Sequence, residues 1–401
     1  MSKKLRFGIM GTLRGSSFAR CLQFMADAEL VAVCENVTAN LSHVEPYLTP
    51  EVKVFEDFDE FLHCGLDAVV LCNYFDEHAK YAIKCFEAGV AVLSETTAAP
   101  TLGECVQLVE ACEKYNGRYM LAANCPYFKA VHAMKMRIDR GETGDIFYGE
   151  AEYIHGERKL VNGYADRPED NLHWRQFLPA NMYNMHTLGP LMYVTNSMPK
   201  TVSCTMICND RISKAKGHIK DSVGAVVVTQ MDNGAVFQTT GCSGYAPTSK
   251  WYRLACENYT METERYDFRE ERLIVAHDAD YIEHLLPSEE AAGLAAKDIK
   301  SGDVAAAGHG GIDYYTTYHF IKYLQGKEVP FFDVYRSVAL SAVAILGWYS
   351  ALLDSKQMTI PDFRDKAQRD AVRNDFRKPF ARSVKELTMP CRMDQKDQFT
   401  L

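Results

Sequence analysis

Four side chains in the middle of the chain have the right types to move protons on and off a hydroxylated molecule: Tyr153, His155, Tyr183 and His186. A histidine changes charge near neutral pH and serves there as acid or base. A tyrosine accepts a proton only as tyrosinate, which a nearby positive charge must stabilise. Tyr153 and His155 lie two apart in a run that reads as a strand and so share a face, while Tyr183 and His186, three apart, fall on one side of a helix start. Each also has a plainer role open to it, because tyrosines commonly pack with a bonded hydroxyl and a histidine beside a sheet is often a structural donor.

A second group lies near the N-terminus, in Phe7-Gly8-Ile9-Met10-Gly11-Thr12-Leu13-Arg14-Gly15. Glycines between a strand and a helix let the turn close and let backbone N–H groups approach a pyrophosphate at the positive helix end. Gly8, Gly11, Thr12, Leu13, Arg14 and Gly15 are the candidates for that contact. Glu35 ends the second strand 24 residues after Gly11, where a carboxylate can accept both ribose hydroxyls and repel a 2′-phosphate. The expected cofactor is NAD rather than NADP.

Those residues must be positioned by elements the pattern also shows. From Leu5 to about Asn124, apolar runs (Leu5 to Met10, Leu30 to Cys34, Ala68 to Cys72, Val90 to Leu93, Tyr119 to Ala123) alternate with helical patterns (Ser16 to Ala26, His78 to Ala88, Leu102 to Lys114). That alternation predicts a doubly wound parallel sheet, with Thr101 capping the helix at 102. After about 145 the runs Ile146 to Tyr153, Thr201 to Ile207, Val223 to Met231, Ala235 to Thr240 and Tyr252 to Cys256 follow mostly without helices between them, and Asp232-Asn233-Gly234 is a tight-turn signal. Helices are expected at Tyr314 to Leu324 and Val334 to Leu353. The fold class is α/β: a Rossmann sheet over residues 1–124, then an α+β domain with an open, mainly antiparallel sheet over 125–363, and a tail from 364 to 401 that runs over the surface or onto a second subunit.

With 401 residues the chain can bury large cores without staples. Its 44 basic and 53 acidic residues leave a net charge of −9, which argues against nucleic acid. No run reaches the roughly 18 to 20 apolar residues of a membrane span, and the start lacks the pattern of a signal peptide. Thirteen cysteines, several inside apolar runs, and no C-x-x-C pair predict reduced thiols, a cytoplasmic location and no metal.

Phe7 to Gly15, Asp67 to Asn73 with His78 after it, Val90 to Pro100 and His309-Gly310-Gly311-Ile312-Asp313-Tyr314 resemble the glucose-fructose oxidoreductase, inositol dehydrogenase and MocA (Gfo/Idh/MocA) family over about residues 5 to 363. The resemblance implies a dinucleotide domain joined to a C-terminal α+β domain whose sheet faces the nicotinamide, with Asn73, His78, Glu95, Thr96 and Asn124 among the cofactor contacts. It also implies a homodimer or homotetramer built through that sheet, whose outer face is expected to carry the apolar Val226, Val228 and Phe237. Dehydrogenases of the family carry Glu-Lys-Pro where this chain has Glu95-Thr96-Thr97, and an aspartate where it has Met182. Threonine cannot supply the positive charge that acidifies a bound alcohol.

A closer likeness, over Ser94 to Pro190, is to the NAD-dependent glycosidase branch typified by α-N-acetylgalactosaminidases, which lacks the same lysine. The stretch between His155 and Tyr183 matches only in part, so the sugar preference is not carried over. The branch implies oxidation at C3 of a sugar, loss of the C2 proton, elimination of the C1 substituent, addition of water and reduction. His186 is expected to handle the proton of the oxidised hydroxyl and Tyr153 to be the C2 base, with Tyr183 the alternate and His155 in reserve. Tyr127, Trp174, Arg175, His309 and Asp313 are the candidate substrate contacts, although His309 and Asp313 could equally cap a helix and Trp174 could pack in an interface. A conventional sugar or polyol dehydrogenase, a glycoside 3-oxidase and a non-catalytic sugar sensor are the competing readings.

Overall fold

The computed structural model describes residues 3–156, 171–243, 247–266, 271–307 and 309–401. The chain divides into two compact units, one of residues 1–127 and 295–338, the other of 128–294 and 339–401.

The first unit is built on a parallel sheet of β1 (Leu5–Met10), β2 (Ala28–Cys34), β3 (Lys53–Phe55), β4 (Ala68–Leu71), β5 (Ala91–Ser94) and β6 (Tyr119–Leu121), in the order β3-β2-β1-β4-β5-β6. Every residue of β4, β5 and β6 is buried, which is why those strands read as unbroken apolar runs. The chain moves outward from β1 to β3 and then returns to the other side of β1. The crevice beyond the carboxyl ends of β1 and β4 is therefore the topological switch point, where ligands of such sheets bind.

The first helix, Thr12–Leu22, starts four residues before the expected Ser16, because Gly11 at φ 84° turns the chain directly off β1. Thr101 caps Leu102–Lys114 as expected, accepting the Glu104 N–H at 3.2 Å and donating to the Glu104 carboxylate at 2.7 Å. Helix Ile312–Leu324 also belongs to this unit.

The second unit holds a nine-stranded sheet of β7 (Ile146–His155), β8 (Pro199–Cys208), β9 (Ser222–Met231), β10 (Val236–Ser243), β11 (Ser249–Cys256), β12 (Thr260–Thr263), β13 (Leu273–Ala276), β14 (Ile282–Leu285) and β15 (Met358–Thr359). The order is β14-β13-β12-β11-β7-β10-β9-β8-β15, antiparallel throughout except where β10 runs parallel to β7. The β9–β10 hairpin turns at Asp232-Asn233-Gly234, with Gly234 at φ 86°.

Alternation sorts the residues of β9 and β10 between two faces. Ala225, Val227 and Phe237 are buried on one, while Val226 and Val228 lie on the other, Val228 being 39 % exposed. Register corrects the expectation that Phe237 lies on the outer face with the two valines, because Phe237 pairs with Thr229, which shares its face with Ala225 and Val227. Residues 364–401 bury Phe380, Cys391 and Phe399, and the Trp348 indole N–H donates to the Pro390 carbonyl at 3.0 Å. The segment forms one short helix, Lys366–Val372, and two 3-10 turns, Val384–Glu386 and Met393–Gln398, and still reaches the core.

Candidate active site

In the first unit the glycine turn is a place of close approach. A Cβ on Gly11 would stand 2.4 Å from the Cys72 carbonyl oxygen and 2.8 Å from the Asn73 nitrogen, so the end of β1 touches the end of β4 through the one residue that permits it. Gly8 packs beneath Phe61 and Gly15 against Ile9. Glu35 is buried: one oxygen accepts the Thr12 N–H at 2.9 Å and hydroxyl at 2.8 Å, and the other accepts the Val37 N–H at 3.0 Å. A carboxylate has about four lone-pair sites, so Glu35 braces the helix start and keeps acceptor capacity for a ribose. Leu13, in the first helical turn, is 59 % exposed.

Arg14 joins the glycine turn to two other chain segments. Its Nε donates to Glu95 at 2.7 Å and its two terminal nitrogens to Asp313 at 2.8 and 2.9 Å, with the guanidinium lying over Phe18. Asp313 has no exposed surface and also accepts from Asn124 Nδ2 at 3.0 Å and from His309 Nδ1 at 2.6 Å. Burial alone would raise its pKa, but hydrogen bonds from His309 and Arg14 outweigh that and hold it well below the carboxylate range. The Asp313 oxygens thus face Arg14, Asn124 and His309, and His309 is the half-exposed outer member of the group. Tyr127 is stacked on His319 at 5.0 Å.

Beside this network are polar atoms without partners. Both amide atoms of Asn73, Nε2 of His78 and Oδ1 of Asn124 are buried and make no hydrogen bond among the described residues. His78 Nδ1 is 2.9 Å from the Thr97 carbonyl, which makes it the donor, and burial lowers the His78 pKa. Thr96 donates its N–H to Glu95 at 3.2 Å, and the Thr96–Thr97 peptide is cis. Buried groups of this kind are normally satisfied. Asn73 follows β4 and Asn124 follows β6, on the ligand side of the sheet, so a dinucleotide with its amide, hydroxyl and phosphate groups fits what these residues lack.

The second unit assembles the proton-handling residues. Tyr153 stacks on His186 with ring centres 4.4 Å apart and planes at 25°. Tyr183 meets His186 edge-on at 4.7 Å and lies 6.2 Å from Tyr153, while His155 is 6.0 Å from Tyr153. Tyr153 and His155 come from β7, as the alternation requires. Tyr183 and His186 come from a 3-10 segment, Ala180–His186, whose backbone breaks from helical geometry at Tyr183 (φ −97°, ψ 40°).

Asn181 and Asn184 anchor that segment, donating to the carbonyls of Ala344 at 2.7 Å and Leu340 at 3.0 Å, and the Tyr252 hydroxyl donates to the His186 carbonyl at 2.8 Å. Arg175 lies over Trp174 at 4.4 Å and Tyr183 at 5.7 Å, in a short helix, Trp174–Phe177, capped by His173. Six of the expected residues therefore form one cluster. Residues 157–170 of the stretch between His155 and Tyr183 lie outside those described.

Sequence reading missed Tyr252 as a brace of His186. Its strand was legible, but the pairing of β11 with β7 that brings it there was not. Among the described residues no three His, Cys, Asp or Glu side chains are grouped to hold a metal ion, and no helix is long and apolar enough to cross a membrane.

A parallel sheet with a glycine turn at its switch point and an acidic residue ending β2 defines a dinucleotide-binding oxidoreductase fold, here joined to a second unit built on a mainly antiparallel sheet. Residues 5–123 match the Gfo/Idh/MocA oxidoreductase family, NAD-binding Rossmann fold, and residues 296–369 match the C-terminal domain of glycosyl hydrolase 109. The chain is an NAD-dependent enzyme of that type, a glycosidase or an oxidoreductase.

A glycosyl hydrolase family 109 protein of Stenotrophomonas maltophilia is 24 % identical over 90 % of this chain and 89 % of its own length. One from Shewanella baltica is 22 % identical over 90 % and 85 %. Among solved structures, levoglucosan dehydrogenase in complex with NADH and levoglucosan superposes with a TM-score of 0.73 at 17 % identity, covering 90 % of this chain and all of that one. A putative myo-inositol dehydrogenase from Sinorhizobium meliloti gives 0.67 at 16 %, covering 89 % and 100 %. At these identities the structures speak for the fold alone.

Proposed function

We propose that the protein is a redox-neutral glycosidase that opens its cycle by oxidising a ring hydroxyl, at C3, of a small carbohydrate glycoside. The observation that carries this reading is the single cluster in which Tyr153, Tyr183 and His186 touch, in a chain whose relatives are glycosyl hydrolase 109 proteins. Bound NAD supplies the two-electron acceptor for the alcohol and returns the pair to the product. His186 takes the proton of the C3 hydroxyl.

The resulting ketone acidifies C2, and Tyr153 removes that proton as the C1 substituent departs; Tyr183 is the alternate base and His155 assists in placing hydroxyls. Water then adds its hydroxyl at C1 while its remaining proton goes to the departed substituent; Tyr153 returns its proton to C2 and His186 returns its proton to the C3 oxygen. Trp174, Arg175, Tyr127 and His309 are the proposed sugar contacts, with Asp313 acting through Arg14 and His309. Gly8, Gly11, Thr12, Leu13, Arg14, Gly15, Glu35, Asn73, His78, Glu95, Thr96 and Asn124 are the proposed cofactor contacts.

Incubation with aryl glycosides in deuterated water, following both NADH absorbance and aglycone, tests the reading. Aglycone release with deuterium at C2 and no net NADH is the expected result. Accumulating NADH without release would make the enzyme a dehydrogenase or a glycoside 3-oxidase, and binding with neither would make it a sensor.

The assembly is proposed as a homodimer or homotetramer through the outer sheet face, where Ile207 and Val228 are more than a third exposed. A light-scattering mass near the 45.2 kDa of one chain would refute it. The free cysteines from Cys21 to Cys391 support a reducing, cytoplasmic setting.

A further inference from the structure

The first helix begins on a glycine, Gly11, so no side chain at its N-cap can serve the N–H groups that a helix start leaves unpaired. A residue of the neighbouring strand does so instead. Glu35 Oε2 accepts the Thr12 N–H at 2.9 Å and lies 2.8 Å from the Thr12 hydroxyl, and Oε1 accepts the Val37 N–H at 3.0 Å. The same hydroxyl is 2.9 Å from the Asn40 carbonyl oxygen, and its single proton can serve only one of the two. The carboxylate, as the charged acceptor, is the stronger.

The main chain around this carboxylate is fixed as well. Gly11 donates its N–H to the Cys34 carbonyl at 3.0 Å and Glu35 donates its own to the Phe55 carbonyl at 2.9 Å, which ties together the glycine turn, the end of β2 and the end of β3. Only the side-chain torsions of Glu35 are left, and its donors settle those. Of about four lone-pair sites on a carboxylate, three are filled among the described residues, and the one that remains is on Oε1. It can take one sugar hydroxyl. A phosphate in the same place meets a negative charge that is held where it stands.

We propose that Thr12 is a positioning residue for cofactor choice: by holding Oε2 of Glu35 through its N–H and its hydroxyl, it aims Oε1 at the adenosine ribose and so sets the preference for NAD over NADP. This rests on the assignment of Glu35 to the ribose. Thr12 has no exposed surface, so its side chain serves the cofactor through Glu35. Its backbone N–H survives substitution, and the hydroxyl is the part of the hold that a mutation removes. The two cofactors differ only in the 2′-phosphate. A change that spoils the turn or the fold therefore weakens both alike, whereas a change that loosens the Glu35 carboxylate weakens NAD alone.

Calorimetric titration of the full-length protein with NAD and with NADP tests the proposal. The wild type should bind NAD much the more tightly. Thr12→Val, which keeps the shape and loses the hydroxyl, should bind NAD about tenfold more weakly, the share of one hydrogen bond to a charged group, with NADP binding unchanged; Thr12→Ser should restore the wild-type preference. If Thr12→Val does not fold, Thr12→Ala read against Thr12→Ser gives the same comparison. Equal weakening of both cofactors, or of neither, overturns the proposal and leaves Thr12 a part of the fold only. Glu35→Gln separates the two ideas: a preference lost there but kept in Thr12→Val sinks Thr12 alone, and a preference kept in Glu35→Gln, or absent from the wild type, sinks the ribose assignment as well.

Discussion

The two clusters of candidate residues, one in each unit, are built from different materials. In the first unit Arg14, Glu95 and Asp313 are locked to one another by charge-assisted hydrogen bonds of 2.7 to 2.9 Å, and Asp313 is wholly buried. In the second unit the central contacts run between rings, Tyr153 on His186 and Tyr183 at its edge, with the guanidinium of Arg175 over Tyr183. The first arrangement is fixed, because breaking any one bond leaves a buried charge. The second contains groups that can change protonation while their partners stay put. A cofactor-holding site needs the former, and a site that moves protons at successive steps needs the latter.

The sharpest way to break this contrast is to remove one member from each half. His186→Ala should lower turnover by roughly two to four orders of magnitude, the usual share of a positioned acid or base, with NAD affinity by calorimetry nearly unchanged; near-normal turnover would end the assignment of the cluster. Asp313→Ala should act the other way. It removes two of the hydrogen bonds of a partly buried Arg14, which Glu95 still holds, and should cost about 1.5 to 3 kcal/mol of stability in chemical denaturation, as loss of a charged hydrogen-bond partner does, while weakening NAD binding. If His186→Ala lost NAD affinity and Asp313→Ala kept it, the division of labour would be reversed.

Each unit also carries a histidine whose pKa burial lowers, His78 in the first and His218 in the second. Burial, reinforced by Lys220, Lys216 and Arg175, pushes His218 down to about 2. Such a group is neutral in the folded chain but takes a proton near pH 6.5 when unfolded. Its contribution is therefore complete above pH 6.5 and is lost as pH falls below that value, by up to about 1.4 kcal/mol per pH unit. Asp313, held ionised, has its full contribution above the unfolded carboxylate value of 3.8 and loses it progressively as pH falls below that, outside the window between pH 7 and 5. Denaturation midpoints taken between pH 7 and 5 should fall for the wild type and fall less steeply for His218→Gln; an equal slope in both would show that His218 does not report on the second unit.

The halves differed as well in how far they could be read without coordinates. Glycine spacing, the acidic end of β2 and the alternation of Tyr153 with His155 are local patterns, and local patterns survive in a linear string. The Arg14–Asp313 pair spans 299 positions, and the opposition of Lys250 to Tyr153 depends on strand register. Neither leaves a periodic trace. Strands β12, β13 and β14 went unseen because four residues are too few to display a period of two. Phe237 was placed on the wrong face for a related reason: its own strand fixes which neighbours share its side, but only the fold says which side is covered.

The smallest expected effect tests whether stability and chemistry separate within the second unit. Gly234 sits at φ 86° in the β9–β10 turn, and a Cβ there would meet nothing within 4 Å. Any penalty for Gly234→Ala must therefore come from backbone strain, about 1 to 2 kcal/mol for a left-handed alanine, and not from a clash. Asparagine tolerates that conformation, so Gly234→Asn should recover much of the loss. Both variants should keep wild-type turnover, because the turn lies at the end of the hairpin opposite Gly241, the β10 residue paired with Tyr153. A fall in turnover in Gly234→Ala larger than its fall in folded fraction would mean that the sheet transmits strain from its hairpin to the ring cluster.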